Sequence, residues 1–216
     1  MFTNSNWKEA IRQWAGNHPN QRRAIAAVSF LVAVTCCWLV YDIFSGLPGQ
    51  AELTALGDST ELTTIYDVHD RPVFTIPTQY RIEVPLSKIS KNLRQAIVAV
   101  EDVRFYEHNG VDGVRVVAAI VEDVRQRRKA EGASTLTQQL ARASFLTRDK
   151  TLRRKVKEAI LAQRIEKVYS KDQILEFYLN KAYFGDGLYG AEAAARGYFG
   201  KPASDLTLPE AALIAT

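Results

Sequence analysis

Cysteine is almost absent. The 216 residues hold only Cys36 and Cys37, adjacent and inside the longest apolar run, which excludes a disulfide framework and any cysteine-rich zinc site. Glycine and proline are sparse too, 12 and 7 against 47% hydrophobic residues, so collagen-like repetition and disorder are excluded. The length serves one domain with a real core, but not two of ordinary size. A broad excess of positive charge is also missing, despite an isoelectric point near 9.0. Lys8, Arg12, Arg22 and Arg23 against Glu9 place three of the four net positive charges in residues 1–41. The other 175 residues are close to neutral, so no polyanion-binding field exists and nucleic acid is not an expected partner.

What is present begins with a membrane-length segment. Ala24 to Tyr41 is an 18-residue run without a formal charge, and Ile43 and Phe44 extend it past Asp42. As a helix it covers about 27 Å, close to the hydrocarbon thickness of a bilayer. A cleaved signal peptide would have an apolar region of only about 7–15 residues ending at a small-x-small site, and neither condition fits well. Arg22 and Arg23 abut the run, whereas the next Lys or Arg is Arg71, so the positive-inside bias puts the N-terminus in the cytoplasm. The expectation is a cytoplasmic tail over 1–23, an uncleaved signal anchor over 24–44, and a domain outside.

Residues 45–60 are rich in small polar residues and read as a linker without chemistry. Leu62–Asp67 and Val73–Ile76 flank His69-Asp70-Arg71-Pro72, which predicts a small β-hairpin with His69 in its turn. From Ser90 onward the periodicity is helical. Leu93, Ile97, Val98 and Val100 mark one face, and Asp112 caps a helix carrying Val114, Val117, Ala118 and Val121. Capping boxes at Thr135…Gln138, Ser170…Gln173 and Thr207…Glu210, the last with Pro209 in its first turn, start three more helices. A charged helix over about Thr151–Tyr169 carries Leu152, Val156, Ala159 and Ile160 on one face and Arg154, Glu158, Leu161 and Ile165 on another, which predicts protein on both sides. The domain over 61–216 is therefore mainly α. It stops a few residues into its last helix, which reads as a truncated chain that folds marginally or acts weakly alone.

Four stretches carry polar residues that packing alone does not explain. Glu101-Asp102-x-x-Phe105-x-x-His108-x-Gly110 sets two carboxylates at the end of an apolar helix, where partial burial would bring one towards a working acid or base. The plain alternative is a solvated helix end with Phe105 in the core and His108 against the helix dipole. Gly132–Gln139 leads a turn into a helix N-terminus rich in hydroxyls and amides. Capping accounts for Thr135 and Gln138 but leaves Ser134, Thr137 and Gln139 unexplained. Arg142, Lys150, Arg153, Arg154, Lys155 and Lys157 form a basic cluster around Glu158, which is either a solvated face or a cradle for a pyrophosphate leaving group. Lys171–Gly185 is mostly packing stripe, with Asn180 and Tyr183 at its end as candidate binding residues.

In this order EDVRFYEHNG, GASTLTQQLAR, RRKVKE, KDQILEFYLNKAYFG and LPEAALIA resemble the family 51 glycosyltransferases. These are the peptidoglycan transglycosylase domains of class A penicillin-binding proteins and of monofunctional cell-wall polymerases. The resemblance runs from about Tyr66 to Thr216, and the hairpin looks more like the class A branch. It implies a lysozyme-like helical domain acting on lipid II and the growing glycan strand at the outer face of the bacterial inner membrane. It also implies Glu101 as the general base and Glu158 as a second carboxylate assisting departure of the lipid pyrophosphate. Arg142, Lys150, Arg154, Lys155 and Lys157 would hold that pyrophosphate. Asp102, Phe105, His108, Ser134, Thr135, Gln138 and Gln139 would line the cleft, with Asn180 and Tyr183 as further substrate contacts.

No cofactor is required on this resemblance, although a divalent cation, Mg or Mn, has a place at the pyrophosphate. Other cell-wall synthesis proteins are expected partners. Ala133, and Arg142-Ala143 in place of the usual Lys-Asn, are mild departures from the pattern. Two competing functions remain: a lytic glycan hydrolase, since two glutamates in a helical cleft also serve glycoside cleavage, and a non-catalytic, membrane-tethered glycan-binding scaffold. The leading reading requires residues 101 and 158 to open onto one groove.

Overall fold

The computed structural model describes residues 19–57, 62–77, 80–126, 134–147, 149 and 151–216. Most of the tail over 1–23, together with Gly132, Ala133 and Lys150, lies outside them. The chain forms two units, residues 1–46 and 47–216. In the first, helix α1 (Pro19–Phe44) contains a 22-residue segment, Arg23–Phe44, with mean hydropathy 2.2 and no buried share. It is long and apolar enough to cross a membrane, and its side chains, Phe30, Leu31 and Trp38 among them, are exposed all round.

The second unit is mainly helical. It contains α2 (Gln50–Thr54), α3 (Lys91–Glu101), α4 (Gly113–Gln126), α5 (Leu136–Phe145), α6 (Leu152–Val168), α7 (Lys171–Lys181), α8 (Ala191–Phe199) and α9 (Leu208–Ala215). Strands β1 (Leu62–Tyr66) and β2 (Pro72–Pro77) form the expected antiparallel hairpin. Its turn is tied by Asp67 Oδ1, which accepts from the N–H groups of His69 and Arg71 at 2.8 and 3.0 Å. Two residues each of β3 (Tyr80–Arg81) and β4 (Leu188–Tyr189) pair in parallel. So short a pair leaves no periodicity to read in the sequence.

The core joins Leu93 and Ile97 of α3, Phe105, Leu136 and Leu140 of α5, Leu161 and Ile165 of α6, and Ile174, Leu175 and Leu179 of α7. Helix starts follow the local chemistry. Ser90 and Thr151 accept from the N–H groups of Leu93 and Arg154, and all three sequence-predicted capping boxes form. Gly110 shows why a side chain is excluded beside α6. It has φ +82°, and a Cβ there would stand 2.7 Å from the Ala162 carbonyl carbon.

Three expectations are corrected. Residues 47–57 are not a bare linker: Leu53 and Leu56 are buried, and Tyr169 Oη donates to the carbonyls of Leu53 and Thr54 at 3.0 and 2.8 Å. On α4, Val114, Val117 and Ala118 face solvent, while Val121 lies outside the described side chains. The helix turns Arg115 inward instead, because its guanidinium finds acceptors at the end of α3. On α6, Leu152 and Val156 are exposed and Ala159 and Ile160 half-buried, whereas Glu158, Leu161, Ala162 and Ile165 are buried, so the first predicted face is covered only at its C-terminal end.

Candidate active site

Glu101 is the last residue of α3, and it lines a cavity of about 530 Å³ walled also by Tyr178, Tyr183, Phe184 and Tyr198. Gln139, in the second turn of α5, donates from Nε2 to Glu101 Oε2 at 2.6 Å. Tyr178 Oη, from α7, donates to Gln139 Oε1 at 3.4 Å. Burial pushes the Tyr178 phenol well above its ordinary range, the charge of Glu101 adds to this, and that of Arg142 opposes it. Glu101 Oε1 accepts no hydrogen bond from any described residue. The carboxylate is thus held through one oxygen on the wall of a cavity large enough for a sugar ring.

The end of α3 is itself tied down. Arg115 donates to the Glu101 carbonyl at 2.6 Å, satisfying an acceptor that a helix C-terminus leaves without an intrahelical partner. The next residue, Asp102, turns inward and is fully buried. Its Oδ2 accepts from the Leu136 N–H, the first of α5, at 3.0 Å, with His108 Nε2 also at 3.0 Å. Asp102 therefore joins the helix that carries Glu101 to the helix that carries Gln139.

A second cluster lies along α6. Glu158 is 1% exposed and accepts from Arg154 Nη1 and from Lys155 Nζ, the latter at 3.1 Å. Lys155 Nζ also donates to Ser134 Oγ, and Arg154 Nε donates to the Asp149 carbonyl. Two cations thus share one buried carboxylate, leaving a local positive charge at the approach to α5. Lys157, one residue before Glu158, is half-buried, and Arg142 is exposed on α5. Lys150 lies outside the described residues.

The structure therefore sorts the sequence candidates. Glu101 and Tyr183 line the cavity, Gln139 is bonded to Glu101, and Ser134, Arg154 and Lys155 gather around Glu158. Five candidates for the cleft or for substrate contact instead sit in the interior. Asp102 and Phe105 are fully buried, and Lys171 Nζ lies 4.5 Å from the centre of the Phe105 ring. Thr135 and Gln138 spend their polar atoms on the capping box, and Thr135 Oγ1 also donates to the Gly110 carbonyl at 2.6 Å. Asn180 pairs both ends of its amide with the Val84 backbone, at 3.1 and 2.9 Å. His108, 8% exposed, is held against Asp102. Glu158, paired with Arg154 and Lys155, is not among the residues that line the cavity beside Glu101.

Sequence reasoning missed Tyr178 and Arg115. Each had a faint signal, a phenol inside an apolar stripe and a guanidinium inside the apolar run Gly-Val-Arg-Val-Val.

Two carboxylate groups among the described residues are poor cation sites by themselves. Asp102, His108 and Asp112 bring ligand atoms within 4.8 Å of one another. However, Arg104 grips Asp112 through two nitrogens, and Arg115 stands 3.8 Å from Asp102 Oδ1. Burial would raise the Asp112 carboxyl, yet Arg104 and the Arg115 N–H more than offset this and lower it. The positive charge that a metal would supply is already present. Around Glu158 there is one carboxylate among cations, which repels a metal rather than binding it.

The domain is mainly helical, with one glutamate on a partly aromatic cavity and a second paired with cations on α6. The family model described as Transglycosylase matches residues 69–216, and the chain belongs to that family. It is 44% identical over 186 residues to penicillin-binding protein 1F of Bacillus subtilis, covering 82% of this chain and 26% of that protein. Against penicillin-binding protein 1A of Aquifex aeolicus it is 41% identical over 197 residues, covering 90% and 27%. Against penicillin-binding protein 1A of Escherichia coli it is 41% identical over 194 residues, covering 86% and 23%. The chain thus spans about a quarter of the length of these relatives.

Proposed function

We propose that the chain is a peptidoglycan glycosyltransferase that joins lipid II units into β-1,4-linked glycan strands and releases undecaprenyl pyrophosphate. The observation that carries this reading is Glu101, which lines the cavity while Gln139 donates to one of its carboxylate oxygens. In the step proposed, the acceptor 4-hydroxyl attacks the donor sugar at C1 and its proton passes to Glu101 Oε1. The bond from C1 to the pyrophosphate oxygen breaks, and the electron pair leaves with the lipid pyrophosphate. Arg154, Lys155, Lys157, Arg142 and Lys150 are the groups proposed to neutralise that leaving group. Glu158 holds Arg154 and Lys155 in place for it. No metal-bound step is invoked.

α1 supports membrane attachment. We place the N-terminus in the cytoplasm, on the strength of Arg22 and Arg23, and the domain on the outer face, where a lipid-anchored substrate is within reach. Purified protein is incubated with labelled lipid II and, separately, with finished peptidoglycan, and product size is followed. Chain growth lost in Glu101→Gln supports the proposal. Shortening of finished strands marks a lytic hydrolase, and no change in either marks a glycan-binding scaffold.

A further inference from the structure

The side-chain amide of Gln139 has an accepting end and a donating end, and only one orientation helps Glu101. With Nε2 towards the carboxylate it donates, and turned over it would set a carbonyl oxygen against a negative charge. What stands on its far side is the Tyr178 hydroxyl, 3.4 Å from Oε1. That hydroxyl donates as long as it keeps its proton. Burial, reinforced by the charge of Glu101, holds its pKa well above the usual tyrosine range.

The tyrosine is rigidly placed. Ile174 and Leu175 of the preceding turn are buried, as is Leu179, so the ring is seated by the same α7 face that enters the core. Gln139 is equally constrained, because the start of α5 is fixed by the Thr135 capping box and by Asp102 on the Leu136 N–H. Three helices therefore bring a donor, a two-ended amide and a carboxylate into one line. Each hydrogen bond points the same way, from Tyr178 to Gln139 to Glu101. The line ends on Oε2 of a glutamate that lines the cavity.

We propose that Tyr178 is a positioning residue for Glu101, acting through Gln139. It anchors the far end of the amide, whose near end donates to the carboxylate, and so holds Glu101 Oε2 in place. No proton leaves Tyr178 in this role. The inference rests on Glu101 being the base.

The test uses the full 216-residue chain in detergent with lipid II as substrate. Tyr178→Phe keeps the ring and removes one oxygen. Its kcat is expected to fall about tenfold with KM nearly unchanged, because positioning acts on the transition state rather than on ground-state binding. The double variant Tyr178→Phe/Gln139→Ala is expected to be no slower than Gln139→Ala alone, since the hydroxyl has nothing to act through once the amide is gone. A wild-type kcat in Tyr178→Phe overturns the proposal, as do losses that multiply in the double variant. A raised KM with kcat kept also overturns it, by making Tyr178 a direct substrate contact. Should Tyr178→Phe melt below the assay temperature, it and the wild type are compared at a temperature below that melt: a lowered kcat with KM kept supports the proposal, and an equal kcat overturns it. Glu101→Gln separates the two levels. Full activity there removes the base itself, whereas a dead Glu101→Gln beside an unaffected Tyr178→Phe removes only the positioning role.

Discussion

Gln139 Nε2 stands 2.6 Å from Glu101 Oε2, joining the second turn of one helix to the last residue of another. A neutral donor at that distance satisfies one carboxylate oxygen without adding charge. Replacing it by an acid adds that charge.

Gln139→Glu sets two carboxylates within hydrogen-bonding distance, where one proton is shared and the apparent pKa of the pair rises. A base must be ionised to accept a proton, so activity is lost at the acidic end first. The acidic limb of the pH–rate profile with lipid II is expected to move up by about one unit or more. Raising the pH should restore most of the rate. An unmoved limb would detach Gln139 from the base.

Glu158→Gln distinguishes a proton donor from an organiser of cations. The carboxylate is 1% exposed and bridges Arg154 and Lys155, so neutralising it leaves two cations with a weaker partner in a closed site. A loss of about 3 kcal/mol in unfolding free energy is expected. Turnover is expected to fall while the pH–rate profile keeps its shape. Loss of the basic limb would return Glu158 to the role of acid.

The neighbours Glu101 and Asp102 show how far the sequence was legible. Their place at the end of an apolar helix could be read from the spacing of Leu93, Ile97 and Val98, as could the hairpin, the membrane-length run and the three capping boxes. These features depend on residues a few positions apart. The opposite fates of the two carboxylates depend on the backbone beyond the helix, where Asp102 at φ −154° turns towards the Leu136 N–H, 34 residues on. Tyr178 and Arg115 were hidden for the same reason, since their partners lie on other helices. On α6 the periodicity identified two apolar faces correctly. It could not say that the face carrying Leu152 and Val156 would be covered only at its C-terminal end.

Gly110→Ala tests the close approach that brings this loop onto α6. The new Cβ would meet the Ala162 backbone at 2.7 Å, in a chain already at φ +82°. Backbone cannot move aside as a flexible side chain can, so strain and overlap add. A destabilisation of about 3 kcal/mol is expected, measured by denaturant unfolding. Activity should fall with it, because the Gly110 carbonyl accepts from Thr135 at the start of α5. A fully stable Gly110→Ala would mean that the loop and α6 are less closely apposed than described.

The last helix supplies a pH test away from the site. Lys201 Nζ, 2.7 Å away, and the hydroxyl and N–H of Thr207 hold the Glu210 carboxyl down to about 2 from its ordinary 4.5. The folded state therefore binds this proton less readily than the unfolded chain. Its contribution to stability is fully present above the ordinary carboxyl range and is lost as the pH falls from there through about 2. Melting temperatures between those limits should fall more steeply for the wild-type chain than for Glu210→Gln, which cannot titrate and should already melt lower at neutral pH. Equal slopes would mean that the Lys201 pair and the Thr207 cap do not form in solution.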